Sequence, residues 1–336
     1  MEFSIHRDHS EIEADQWNAL LGRSVLDVPF LRHEYQRTWW EHRGGGEWPD
    51  AELLLICARR EERLIGVAPL FAAEHDGRRA LLLAGSIEIS DYLDLIVADA
   101  DLPDFVSGLC GLLAERDPVS WRALDWYNVP ESSPTLAVLR SEAGRRGWSY
   151  SQEVYRPTPY IPLSGDFDSY LAGLEKKKRH EIRRKMRRLY EGGRSVRWYV
   201  SDGQHLEAEM DRLFELMASD HEKAQFLTAE MREQLRHVAD AAHLAGWLWL
   251  AFLEVDGQLA AASLNFDFGN RLWGYNSGVN SAFRELSPGW VLLSHILQWA
   301  GEHGRDEFDF MRGDEDYKYR FGAIDRYVVR ATTLGA

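Results

Sequence analysis

The stretch that most restricts the fold is "WLWLAFLEVDGQLAAASLNFDFGNRLWGYNSG", Trp247 to Gly278, where three apolar runs are separated by Asp256-Gly257 and Gly269-Asn270. Both dipeptides suit the two-residue turns that join antiparallel strands, so the run reads as three strands and two hairpins. The first half of the chain repeats this order in "LLLICARREERLIGVAPLFAA" and "RRALLLAG". A helix with an apolar stripe follows each set, "LPDFVSGLCGLLAER" or "GWVLLSHILQWAGEHG", and then a strand, "WRALDWYNV" or "EFDFMRG". A further helix and strand close each half: "TLAVLRSEAGRRG" and "WSYSQEVY" in one, "EDYKYRFGA" and "RYVVRATTL" in the other. That order belongs to an α/β chain with mixed, mostly antiparallel sheets flanked by helices, not to a doubly wound parallel one. At 336 residues the chain exceeds one ordinary core. We expect tandem domains at residues 1–163 and 164–336.

Composition narrows the class. Hydrophobic residues make up 45% and charged residues 28%, as in a globular protein. The opening "MEFSIHRDHSEIEADQW" is acidic where a secretory leader is basic and then apolar. The longest apolar run, "LAGWLWLAFLEV", is roughly half a membrane span. These features predict a cytoplasmic protein without a membrane span. Cys57 and Cys110 are the two cysteines, which predicts no disulfide framework. The histidines form no HExxH motif and no zinc-like spacing, so no metal is expected.

Against a net charge of -15, "LEKKKRHEIRRKMRRL" sets nine Lys or Arg and one acid, Glu181, between Lys176 and Arg188. Leu171, Leu174, Ile182, Met186 and Leu189 recur at helical spacing, which predicts a helix over 168–191. Ser164 or Asp168 would cap its start and Gly192-Gly193 would end it. One reading is a solvated helix face. The other is a partner anion, because like charges along one helix repel. Cations confined to one segment of an acidic chain argue against DNA binding.

Two stretches in the second half carry candidate chemistry. Arg284-x-x-Ser287-x-Gly289 lies between a strand and an amphipathic helix, where free backbone N–H groups and the helix dipole suit a pyrophosphate. It also reads as an ordinary helix start, with Ser287 as cap and Pro288 first in the helix. In "FDFMRGDEDYKYRFGA" a strand end delivers Arg312, Asp314, Asp316, Tyr317 and Lys318 to one place. A carboxylate, a phenol and an amine there would position a nucleophile and stabilise an oxyanion. Alternatively Asp314 caps a helix and the tyrosines belong to the core.

Taken together, "RLWGYNSGV", "SPGWVLLSHILQWA" and "FDFMRGDEDYKYRFGA" after "KKKRHEIRRKMRRL" resemble the CelD-like branch of the GNAT acyltransferases. That branch is related to the Fem-type peptidoglycan aminoacyltransferases, which are tandem GNAT-like proteins. "FLRHEYQRTWW" and "SDYLDLIV" extend the resemblance over nearly the whole chain. It implies acyl transfer from acyl-coenzyme A to an amine or hydroxyl of a small-molecule or cell-envelope precursor. Arg284, Ser287 and Gly289 then fall on the cofactor loop, although Ser287 stands where the family has glycine. Tyr275, Asn276 and Ser277 fall on the strand facing the thioester. Lys318 falls near the transferred group, and Asp314 or Asp316 becomes the general-base candidate. Asp91, Tyr92, Asp94 and Arg312 become acceptor-side candidates. Arg179, Arg183 and Arg184 would hold the donor phosphates. The first half lacks such a loop, so one donor site is expected, in the second half. Aminoacyl-tRNA is the alternative donor. A non-catalytic reading makes the thirteen tryptophans a binding cleft.

Overall fold

A computed structural model of the chain describes residues 1–163 and 165–335. Both expected hairpins form. Asp256 and Gly257 take φ of 50° and 76°, and Gly269 and Asn270 take 62° and 58°. Two successive positive φ angles match the twist of the strands they join.

The chain divides into two compact units, residues 1–156 with 326–336, and residues 157–325. In the first, β1 (Glu2–His6), α1 (Ala14–Leu21), α2 (His33–Glu41) and the short turn α3 (Arg43–Gly46) precede the hairpin strands β2 (Glu52–Arg60), β3 (Arg63–His75) and β4 (Arg78–Leu83). Then come β5 (Ile96–Val97), α4 (Leu102–Arg116), β6 (Ala123–Pro130), α5 (Pro134–Arg145) and β7 (Ser149–Pro157). The second unit runs β8 (Tyr160–Pro162), α6 (Phe167–Gly173), α7 (Lys176–Tyr190), β9 (Val196–Val200), α8 (Leu206–Met217), α9 (His221–Phe226) and α10 (Ala229–Leu244). It continues with β10 (Leu248–Val255), β11 (Gln258–Phe268), β12 (Arg271–Val279), α11 (Pro288–Glu302), β13 (Glu307–Asp309) and α12 (Asp316–Arg320). The last strand, β14 (Tyr327–Leu334), belongs to the first unit.

The two sheets repeat one plan. The first is ordered β1-β2-β3-β4-β6-β14-β7 and the second β9-β10-β11-β12-β13-β8. In each, four antiparallel strands meet a fifth in parallel, β4 with β6 and β12 with β13, and a sixth pairs antiparallel with the fifth. The sixth strands come from unexpected places. "RYVVRATTL" was expected to close the second half, yet β14 pairs with β6, while the second sheet is completed by β8. Arg330 of β14 fixes this pairing: its Nε and Nη2 donate to Oδ1 and Oδ2 of the fully buried Asp125 at 2.8 and 2.6 Å. The division therefore falls at 156/157 rather than 163/164, and the final strand crosses back.

The basic helix also departs from expectation. It breaks at Leu174, which is extended, and Glu175, which is non-helical at φ -52° and ψ 142°, into α6 and α7. Leu174 leaves the helical path to pack beside Gly322, where a Cβ would lie 2.4 Å from its Cδ2. Asp166 caps α6 by accepting from the Ser169 N–H at 2.8 Å, in place of Asp168; Ser164 lies outside the described residues. Among the described residues no helix is long and apolar enough to cross a membrane.

Candidate functional site

The second sheet opens beyond Trp273. Parallel pairing of β12 with β13 ends at Trp273↔Asp309. A register shift against β11, from Asn265↔Gly274 to Leu264↔Asn276, leaves Tyr275 as a bulge. The Asn280 N–H donates to the Ala260 carbonyl at 2.9 Å, which sets the phase of the ladder. Antiparallel pairs alternate, so Asn276 and Gly278 face β11 while Ser277 and Val279 turn their C=O and N–H groups to the open side. Neither of those two N–H groups has an acceptor among the described residues.

The loop after β12 leads to a helix start. Asn280 accepts from the Ala282 N–H at 3.0 Å and begins a 3-10 turn, Ser281–Leu286. Ser287 takes φ 54° and ψ 51°, the left-handed conformation that glycine adopts most easily, and its side chain makes no cap. Its backbone has the shape a glycine would give, while its hydroxyl does not serve as the ordinary N-cap. The first turn of α11 holds no acid, and the Gly289 N–H has no acceptor among the described residues. Gly289 sits so close to β12 that a Cβ would lie 3.0 Å from Val279 Cγ2. Arg284 is exposed in this loop. In the first unit, Asp99, Asp101 and Asp104 crowd the corresponding helix start, the place an anion would occupy.

The helix α7 packs on α11 and on the loop. Ile182 and Leu189 are buried in the core with Val291, Leu292 and Ile296 of α11, each contributing roughly 2 kcal/mol. Their stripe turns Lys185 and Arg188 toward the helix start. Lys185 Nζ lies 3.1 Å from the centre of the Trp290 ring, and Arg188 Nη2 lies 3.5 Å from Glu285 in the loop. Burial lowers the Lys185 pKa, against the opposing pull of Glu181 at 3.5 Å. The arginines singled out from the sequence stand elsewhere. Arg179 Nη1 reaches back to the carbonyls of Ala172 and Leu174, at 3.2 and 3.3 Å, capping the end of α6. Arg183 pairs with Asp168 at 3.2 Å. Arg184 is exposed and makes no ion pair among the described residues.

Beyond β13 the geometry corrects the sequence reading. Lys318 is 2% exposed, and its Nζ donates to the carbonyls of Arg312 at 2.9 Å and Gly313 at 3.1 Å and to Glu315 Oε2 at 2.9 Å. The carbonyls of Phe310 and Met311, at 3.3 and 3.5 Å, complete the cage. An ammonium so surrounded has no N–H left for a substrate anion. It holds a loop in which Met311 and Gly313 take positive φ. Asp316 pairs with Arg320 at 3.1 Å, Tyr317 is 38% exposed, and Asp314 is exposed. In the first unit Asp94 is fully buried and accepts from the Leu95 N–H and the Ser133 hydroxyl. Burial raises its pKa to about 6. It braces a turn and cannot meet an acceptor. Tyr92 is 5% exposed and Asp91 half-buried.

Sequence reasoning missed Lys185, Arg188 and Lys223. The first two flank the apolar stripe of α7, so projecting that stripe would have found them. Lys223 donates from Nζ to the Ser277 carbonyl at 2.6 Å, across 54 residues, and no local pattern announces it.

Comparison with known proteins bears on the fold and on one stretch of the second unit. Residues 176–319 match the family described as acetyltransferase (GNAT) domain. No curated protein matches the chain. The structure of FemX is similar at 14% identity and TM-score 0.66, over 98% of this chain and 97% of that one. L-PGS from Bacillus licheniformis is similar at 11% identity and TM-score 0.57, over 96% and 91%. A conserved protein from Bacteroides thetaiotaomicron is similar at 12% identity and TM-score 0.61, over 99% and 100%. The chain thus has a two-unit fold similar to that of FemX, and residues 176–319, within its second unit, resemble the acetyltransferase (GNAT) domain family.

Proposed function

We propose that this protein is an acyltransferase that moves an acyl group from acyl-coenzyme A to an amine or hydroxyl of a small-molecule or cell-envelope precursor, in the cytoplasm. The observation that carries this is one place in the second unit where an open strand edge meets a helix whose first turn holds no acid, the loop's Glu285 being paired with Arg188. The N–H groups at the start of α11 suit a pyrophosphate, and Arg284, Lys185 and Arg188 supply cations around it. The outward N–H of Ser277 or Val279 would polarise the acyl carbonyl as the nucleophile attacks and hold the tetrahedral oxyanion, which returns to a carbonyl as the C–S bond breaks and coenzyme A leaves as its thiolate. Holding donor and acceptor together supplies much of the remaining rate. Asp314, exposed beyond the cage of Lys318, is the general-base candidate on this loop.

The exposed Lys176, Lys177 and Arg184 on α7 favour a second reading, in which the donor is a polyanion such as aminoacyl-tRNA. Calorimetric titration with coenzyme A separates the two. Micromolar binding, weakened about tenfold in a Lys185→Glu/Arg188→Glu variant, supports the first. Absence of binding at millimolar coenzyme A, with salt-dependent binding of tRNA, overturns it in favour of the second.

A further inference from the structure

The open edge of β12 is already occupied, and by side chains of its own unit. Unpaired C=O and N–H groups on a strand edge pair with any extended chain of amides. The arm of coenzyme A, which joins the nucleotide to the thiol, is such a chain. Ser277 and Val279 are the residues of β12 that face this side, and both carbonyls have donors. Lys223 Nζ lies 2.6 Å from the Ser277 oxygen. Ser219 Oγ lies 2.7 Å from the Val279 oxygen and 2.7 Å from that of Leu216, and its single proton can turn to either.

Both donors come from one short segment, anchored at each end. Where α8 finishes, Gly278 lies so close that a Cβ would stand 2.5 Å from Leu216 Cβ and 2.6 Å from the Met217 nitrogen. Asp220 then accepts from the N–H groups of Glu222 and Lys223, both at 3.1 Å, and starts α9. The backbone is therefore fixed, and each side chain could release its strand carbonyl by a change of rotamer alone. The Lys223 ammonium is partly withdrawn from water, and burial lowers its pKa against Asp220 and Glu315.

We propose that Ser219 and Lys223 form a clasp on the open edge of β12 that sets which donors the second unit accepts. A donor whose amide arm pairs with the strand must take the carbonyls of Ser277 and Val279 from the clasp. A donor without such an arm meets no competition there. The clasp selects between donors and weakens the hold on coenzyme A.

The inference rests on the acyl-coenzyme A reading, and its test keeps the two apart. Coenzyme A is titrated calorimetrically into the full-length protein and into Lys223→Met and Ser219→Ala variants. The expected result is a dissociation constant about tenfold lower for Lys223→Met and a smaller gain for Ser219→Ala, whose proton has a second acceptor. Binding by Lys223→Met where the unaltered protein shows none supports the clasp equally. Binding by all three proteins with no gain, or a loss, in Lys223→Met overturns the clasp and leaves the donor reading standing. No binding by any of them at millimolar ligand overturns both.

Discussion

Lys185 sets its ammonium 3.1 Å from the centre of the Trp290 ring, joining the middle of the basic helix to the first turn of α11. The charge run is therefore neither a uniform solvated face nor a free anion trap. Its apolar stripe docks it, and Lys185, on the face of Trp290, stands with Arg188 beside the helix start.

A cation over a partly buried ring contributes about 1–2 kcal/mol. Lys185→Met and Trp290→Leu should each destabilise the second unit, and their double-mutant cycle should show a coupling of about 1 kcal/mol by urea unfolding. A coupling of zero would mean that the contact contributes only packing.

Ser287 occupies a left-handed conformation that costs an ordinary residue about 1–2 kcal/mol. Glycine loses that strain but is freer when unfolded. Ser287→Gly should leave stability within about 0.5 kcal/mol of the parent or above it, and Ser287→Val should cost about 2 kcal/mol, because β-branched residues fit poorly there. Urea midpoints check both; a tolerated valine would contradict the assigned backbone.

Lys318→Met leaves four carbonyls and Glu315 around a site without an ammonium. The expected cost is about 3 kcal/mol, read as a fall in the thermal midpoint. If the variant instead keeps its midpoint and loses acyl transfer alone, Lys318 touches the reaction, as the sequence pattern suggested.

His295 is 8% exposed, accepts or donates at 2.7 Å with the Tyr190 hydroxyl, and stacks 5.1 Å from Trp198. Burial lowers its pKa from 6.5 to about 4. Below pH 6.5 the unfolded ring takes a proton that the folded ring refuses, so stability falls as pH drops toward 4. This contribution approaches about 3 kcal/mol. Urea unfolding followed by tryptophan fluorescence between pH 7 and 4 should show a steeper loss in the parent than in His295→Gln. Parallel curves would remove His295 as a cause.

The hairpins were legible because Asp256-Gly257 and Gly269-Asn270 state their own backbone angles. The parallel fifth strands were legible because a helix always precedes them. The exchange of sixth strands was not, since the alternation in "RYVVRATTL" is the same whichever sheet receives it, and only the buried Asp125 decides for Arg330. The break at Leu174 was hidden because its cause, close packing on Gly322, lies about 150 residues away. At the site, the loop and the helix start were visible as local pattern. Lys318 was correctly marked as unusual but misread in role, because a sequence names an amine without naming the carbonyls that surround it.

The return of β14 to the first sheet bears on how the chain is made. Synthesis proceeds from the N-terminus, and domains generally fold as their residues emerge. Here the first unit waits. Until residues 327–334 leave the ribosome, β6 exposes an unpaired edge and Asp125 is a carboxylate without its guanidinium. The whole second unit, Pro157–Asp325, is translated before the strand that closes the first sheet, so the first unit cannot complete its core until the second has been made.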